Sequence, residues 1–371
     1  MIRSRLFEII GYPYCPVIDV AYVSDNTIVA TCWDGQMRTW RADGSTDSVS
    51  ATTAHTTPRI YYLHALICSV DPNIYVVETD NRTTYLCNSK LGTLNTIKDA
   101  DIHLVAFSRD GQTLAIHNDN VDRNLSQISL YDVSSRRHTR VLLAVQRYET
   151  SCIAFSPDGK TLVAGRNCGG ITLYSVASGH HLWSIKQNDY GFCGFVACIV
   201  FSNNGASIVA GSSDGAIAIC DAATGQRKRE IIDAHNGYYI NCVAFSGDDR
   251  LLASCAQDLR ICVFNDVGLV YRLHGHNDYM RRVVFSPNGR TVASCSNDAS
   301  IRVWVLLESK RFCAIGLALL ERDVAPYVAL DIADLLFAES VCTTFTIWSQ
   351  FMHFDKITML AQLQHALHTH R

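Results

Sequence analysis

The chain has 371 residues, 48% of them hydrophobic, with 32 basic against 35 acidic residues and a net charge of −3. That balance excludes a nucleic-acid binder working through a global positive field. No secretory signal is expected, because MIRSRLFEII lacks a long apolar stretch and a small-residue cleavage site, and the most apolar later run, 312–320, is too short to span a bilayer.

In chain order, Leu6–Ile10 (LFEII) is the first strand expected. A unit marked by an aromatic or apolar residue then recurs at a period of roughly 40–45 residues, the spacing of propeller blades. Its marker is Tyr22 in VAYVSDN, Leu66 in HALICSVDPN, and then Phe107, Phe155, Phe201, Phe245 and Phe285, which makes seven units. The second is the weakest, and its phase is kept by Thr79-Asp80-Asn81 and by the strand end Tyr85–Asn88. The best preserved is 280–304, MRRVVFSPNGRTVASCSNDASIRVW.

Each unit reads as strands separated by turns. An apolar run ends in Phe-Ser, as in Val243–Ser246, and a reversal such as Ser156-Pro157-Asp158-Gly159 follows. A small apolar strand comes next (Thr291–Ser294), then a turn carrying Asp or Asn at 34, 80, 167, 214, 258 or 298. An alternating strand (Ile301–Trp304) and a glycine turn (Ser178-Gly179, Thr224-Gly225, Val267-Gly268) lead to a fourth strand such as Glu230–Ile232.

Fifteen cysteines are present, without a CxxC pair or zinc-site spacing. Cys152, Cys198 and Cys242 each stand three residues before the unit's phenylalanine, and Cys255 and Cys295 share another position. Recurrence in register makes them substitutes for small core residues, expected as reduced thiols in a cytoplasmic or nuclear protein. Without a secretory signal, the acceptor-like triplets at Asn81 and Asn124 carry no expectation of glycosylation.

Gly275-His276, Ala234-His235, the Asp turns, Trp40 and Trp304, together with the repeat itself, resemble the WD40-repeat β-propeller family over roughly residues 5–305. The Trp-Asp ending survives only as Tyr131-Asp132 and Cys220-Asp221, or as Trp without Asp. The fold class expected is all-β: a seven-bladed β-propeller of four-stranded antiparallel blades over 1–305. The resemblance further implies that Leu6–Ile10 pairs with Ile301–Trp304 to complete the last blade, leaving only short protected edges. Residues 306–371 turn rich in Ala and Leu, with Pro326 suited to a helix start and Asp355 capping Ile357, Leu360 and Leu367. They read as an α-helical C-terminal tail that either caps the propeller or docks a partner.

His276, Ser294 (or Ser296), Asp298 and Trp304 invite a hydrolase reading. In the WD40 family these residue types form a hydrogen-bond chain that fastens the blade, so the resemblance implies a structural role. His235, Ser254 and Asp258 repeat the set with Phe264 in place of Trp. No phosphate loop or HExxH occurs, the His365, His368 and His370 cluster reads as a solvated tail, and no cofactor, metal or enzymatic activity is expected.

In a four-stranded blade the loop leading into the first strand shares a face with the turn between the second and third. The lead-in loops carry Tyr12, Tyr14, Tyr61, Tyr62, Tyr148, Phe192, Phe195, Tyr238, Tyr239 and Tyr279, with His103 in the third unit. Arg59, Arg147, Asp278, Arg281 and Arg282 lie among them, and the second-to-third turns add Trp33, Arg166 and Asn167. These rings either pack between blades or anchor a partner, and one Tyr of each pair can do each. The candidate partner-binding set is Tyr14, Arg59, Tyr62, Tyr148, Arg166, Phe192, Tyr239, Tyr279 and Arg281, since Tyr and Arg dominate interface anchors. The function expected is a non-enzymatic scaffold that binds a protein segment on this face, working as a monomer within a complex, without membrane or nucleic acid. The alternative is a substrate receptor of a ubiquitin-ligase-type complex, with the tail as adaptor-docking segment.

Overall fold

The computed structural model describes residues 4–10, 16–25, 27–32, 36–41, 46–50, 66–67, 74–78, 84–88, 92–97, 101–120, 125–135, 137–146, 150–186, 194–232 and 234–306. Among them, 28 strands pair into seven antiparallel sheets of four. The first holds Val17–Ser24, Thr27–Cys32, Gln36–Arg41 and Thr46–Ser50. The second runs from Leu66–Ile67 to Gly92–Ile97, the third from Asp101–Phe107 to Arg137–Gln146, and the fourth from Thr150–Phe155 to His181–Ile185. The fifth runs from Val196–Phe201 to Arg227–Ile231, and the sixth comprises Ile240–Phe245, Leu252–Ala256, Arg260–Phe264 and Leu269–His274. The seventh joins Met280–Phe285, Thr291–Ser296 and Ser300–Leu306 to Ser4–Ile10 from the other end of the chain.

The turn after each first strand explains why the repeat folds as it does. Ser108, Ser156, Ser202, Ser246 and Ser286 each donate through Oγ to the carboxylate or amide oxygen two residues on, at 2.6–2.8 Å. The same Oγ accepts the backbone N–H five residues on at 2.8–3.0 Å. One side chain thus closes the reversal and starts the next strand. Gly111, Gly159, Gly205 and Gly289 supply the left-handed residue there, with φ of 68–72°. In the sixth sheet Asp249 takes that place at φ 60°. Its carboxylate accepts bonds from the Asn203 and Asn204 backbone N–H groups at 2.7 and 2.9 Å, so the strained residue clasps the neighbouring turn.

The core lies in layers between sheets rather than in one central mass. Leu173, Val163 and Ile171 pack with Val196, Ile199 and Ile208 between the fourth and fifth sheets. Val17, Val20, Ile28 and Trp40 pack with Ala293, Cys295 and Ile301 between the first and seventh. The repeat's Phe155 is buried, and Phe201, Phe245 and Phe285 pack on the edges of these layers. Each first strand contacts those of the sheets before and after it, and Val17–Ser24 contacts both Leu66–Ile67 and Met280–Phe285.

Ser4–Ile10 pairs antiparallel with Ser300–Leu306, placing Leu6 opposite Trp304 and Ile9 opposite Ile301. This is the pairing expected from the resemblance, extended at both ends. A second tie crosses the same seam: the Tyr22 hydroxyl meets Thr291 Oγ1 at 2.8 Å. The expected helical tail lies outside the described residues beyond Leu306, as do Tyr14, Arg59, Tyr62, Tyr148 and Phe192.

Candidate functional site

The first strands of the sheets, Leu66–Ile67 excepted, line a cavity of about 1010 Å³. Six of them carry a β-bulge at the same place, just before Asp19, Leu104, Cys152, Cys198, Cys242 and Arg282. All six residues line the cavity. The bulge re-aims one side chain per strand, here toward the channel. The cysteines expected as core fillers therefore have a second task. Cys152 Sγ donates to Val196 O at 3.6 Å, Cys198 Sγ to Ile240 O at 3.8 Å and Cys242 Sγ to Val283 O at 3.6 Å, each reaching the next sheet. Ser151 also bonds to Val196 O, and Asn241 Nδ2 donates to Met280 O at 2.7 Å.

Where the first and seventh sheets meet, the column ends in charge. Arg282 Nε lies 3.0 Å from Asp19 Oδ1. The carboxylate is nearly enclosed and the guanidinium is partly open to the channel. Asp19 holds the Arg282 side chain firmly in its charged form. Residue type alone does not reveal this pair, but a signal for it exists in the repeat. Asp19 stands three residues before Tyr22 and Arg282 three before Phe285, the spacing of the recurrent cysteines.

Around the channel mouth, Phe195, Tyr239 and Tyr279 occupy one repeat position. The carbonyl of each accepts the backbone N–H of Ser213, Gln257 or Asn297 from the second-to-third turn, at 3.0 Å in all three. Their rings then diverge. Tyr239 stacks edge-on against Phe195 at 5.3 Å and is half-buried, and burial pushes its hydroxyl up to about 12. Tyr239, named among the candidate anchors, thus packs between sheets with part of its ring still exposed, while its neighbour Tyr238 is 52% exposed. Tyr279 is 48% exposed. Ser296 Oγ donates to Asp278 O at 2.9 Å and to Tyr279 O at 3.1 Å, and the Tyr279 N–H bonds Asp278 Oδ1 at 2.6 Å. Exposed Arg281 donates through Nε to Asn297 Oδ1 at 2.7 Å. Arg166 stands partly buried at the end of Thr161–Arg166, on the same face. Asn297 is therefore the addition that residue type alone did not single out, and Tyr238, read among the lead-in aromatics but not in the candidate set, joins Tyr279 as an exposed ring.

The His-Ser-Asp-Trp set is assembled behind this rim. His276 Nδ1 lies 2.9 Å from Asp298 Oδ2 and its Nε2 lies 2.8 Å from Ser294 Oγ. Trp304 Nε1 donates to the same Oγ at 3.0 Å, which identifies Ser294 rather than Ser296 as the serine of the set. Ser300 Oγ and the Asn277 N–H also donate to Asp298, at 2.6 and 3.0 Å. Partial burial would raise the Asp298 carboxyl, but the bonds from His276 and Ser300 hold it well below the usual range. Ser294 is fully enclosed, so its hydroxyl has no face open to an incoming substrate.

In the sixth sheet, His235 Nδ1 lies 3.0 Å from both Asp258 oxygens and Nε2 lies 2.8 Å from Ser254 Oγ. Burial works against the charged imidazole, but the bond to Asp258, with Cys262 nearby, outweighs it and lifts His235 to about 9. With Phe264 at the tryptophan position no indole competes for Ser254, so both ring nitrogens can donate. Among the described residues, no group of three or more His, Cys, Asp or Glu is placed to hold a metal ion.

The family model described as WD domain, G-beta repeat, matches residues 145–175, 179–221, 226–265 and 268–305. Repeats of this kind generally serve as non-enzymatic scaffolds for protein–protein interaction. No curated protein matches the chain.

Proposed function

We propose, on the footing of the match of residues 145–305 to the WD40 repeat model, that the chain is a non-enzymatic scaffold binding a protein segment on the face of its lead-in loops. The seven sheets act as the blades of a closed propeller, sealed by Ser4–Ile10 on the last blade. The observation that carries the reading is the exposure of Tyr238, and of Tyr279 two residues before exposed Arg281, on loops whose backbone is already pinned by Ser296, Asn297 and Gln257. Exposed rings on a fixed backbone lose little entropy when a partner covers them, which favours their use as anchors. The His276–Asp298–Ser294–Trp304 and His235–Asp258–Ser254 sets hold the blades rigid beneath them.

A photo-crosslinking residue placed at 238 or 279 is expected to capture the same protein from cell extract, competed by excess unmodified chain. The same probe at Val267, which is 92% exposed in the turn at the opposite end of the sixth sheet, is expected to capture none of it. Equal capture at Val267 contradicts the assignment of the face.

A further inference from the structure

The sixth sheet departs from its neighbours at one pair of positions. In the fourth and fifth sheets the channel-facing cysteine stands opposite a glycine, Cys152 opposite Gly165 and Cys198 opposite Gly211. A Cβ on those glycines would come within 2.5 Å of Cys152 Sγ or 2.8 Å of Cys198 Sγ, and about as near Val196 or Ile240 of the next sheet, so the site holds one thiol and no second side chain from its own sheet. In the sixth sheet the residue opposite Cys242 is Cys255. Two thiols share a site that elsewhere holds one. Cys242 is partly exposed and lines the channel, while Cys255 is fully buried behind it. Arg282, next in the column, places a cation beside Cys242.

From this juxtaposition we propose that Cys242 and Cys255 form a peroxide-responsive thiol pair in the channel wall, Cys242 attacking and Cys255 resolving. The geometry suits closure. Residues directly opposed in an antiparallel pair have Cα atoms about 4.5–5.5 Å apart, inside the roughly 4.4–6.8 Å span of a disulfide. The electrostatics divide the roles. Hydrogen bonding from Cys255 and the charge of Arg282 hold the Cys242 thiol below its ordinary value, whereas burial pushes Cys255 well up. Cys152 and Cys198, in the same column, are pushed up by burial. The thiolate is the nucleophile, so reactivity concentrates on Cys242.

The oxidant is a hydroperoxide entering through the channel. Cys242 thiolate attacks the distal peroxide oxygen, the O–O bond breaks, and the leaving alkoxide or hydroxide takes a proton, giving Cys242 sulfenic acid and an alcohol or water. Cys255 sulfur then attacks the Cys242 sulfur, expels the hydroxyl as water with the Cys255 proton, and forms the disulfide. Two thiols are oxidised by two electrons in all and one peroxide is reduced. A dithiol reductant reverses the change. The disulfide removes the thiolate beside Arg282, leaving that cation paired with Asp19 alone at the channel wall.

The test treats the full chain with substoichiometric hydrogen peroxide and maps cysteines by peptide mass spectrometry without reduction. A Cys242–Cys255 crosslinked peptide is expected to accumulate first, ahead of modification at the exposed Cys168. In Cys255→Ala, a sulfenic-acid probe is expected to label Cys242, and in Cys242→Ala no crosslink or label appears at Cys255. For a readout independent of any variant, iodoacetamide at neutral pH is expected to alkylate Cys242 in the untreated protein at least tenfold faster than Cys198. Oxidation first at Cys168 with Cys242 untouched, or alkylation of Cys242 no faster than Cys198, overturns the proposal.

Discussion

Trp304→Ala is expected to destabilise the protein by about 4 kcal/mol, and Trp304→Phe by about 1 kcal/mol, in urea unfolding followed by fluorescence or circular dichroism. Trp304 is 4% exposed and packs with Cys255, Ile261, Val263 and Val292 where the sixth and seventh sheets meet. Its indole N–H supplies the first bond of a chain running through Ser294 and His276 to Asp298. Its strand also carries Ser4–Ile10, with Leu6 directly opposite. Truncation to alanine therefore opens a cavity at the seam where the two ends of the propeller join. Phenylalanine keeps most of the volume and loses the donor, which separates packing from hydrogen bonding. A loss below about 1 kcal/mol for the alanine variant would show that the seam does not depend on this residue.

Stability is expected to peak between about pH 5 and 6.5 and to fall on both sides, for two identifiable reasons. His235 rises from 6.5 to about 9 on folding. Its contribution is complete below pH 6.5 and is lost as pH climbs through 9, an alkaline limb worth roughly 3 kcal/mol. The Asp298 carboxyl is lowered from 3.8 on folding. Its contribution is present above that value and disappears as pH falls through the lower folded one. His235→Gln is expected to flatten the alkaline limb and leave the acid limb, and Asp298→Asn to do the reverse. Unfolding midpoints measured from pH 3 to 10 on the three proteins check both, and an alkaline limb unchanged in His235→Gln refutes the first assignment.

Much of the fold was legible because it is written locally. Ser156, Asp158 and Gly159 lie within one turn that its own serine closes, and the same turn recurs at Ser108, Ser202, Ser246 and Ser286. The His276 set was legible through family resemblance, with Ser294 and Ser296 left as alternatives until Trp304 chose between them. The direction of the loop rings was not legible. Strand residues alternate faces with a period of two, but Tyr238 and Tyr239 lie in the loop before Ile240, where no such period applies. The contact that turns Tyr239 inward comes from Phe195 of another sheet. The channel column was half-legible: the cysteines showed its register, but reading them as core fillers hid that Asp19 and Arg282 occupy the same register. Their ion pair joins residues at opposite ends of the ring, and only closure brings them together.

The exposed rim is proposed to bind a partner while the network beneath it holds the fold. The most direct measurement compares wild type with Tyr279→Ala/Arg281→Ala in titration against the partner captured at position 279, alongside the unfolding midpoint of each. Binding weakened by about 30-fold or more, as removal of interface anchors produces, with an unchanged midpoint is the result predicted. Unchanged affinity, or affinity and midpoint falling together, would contradict it.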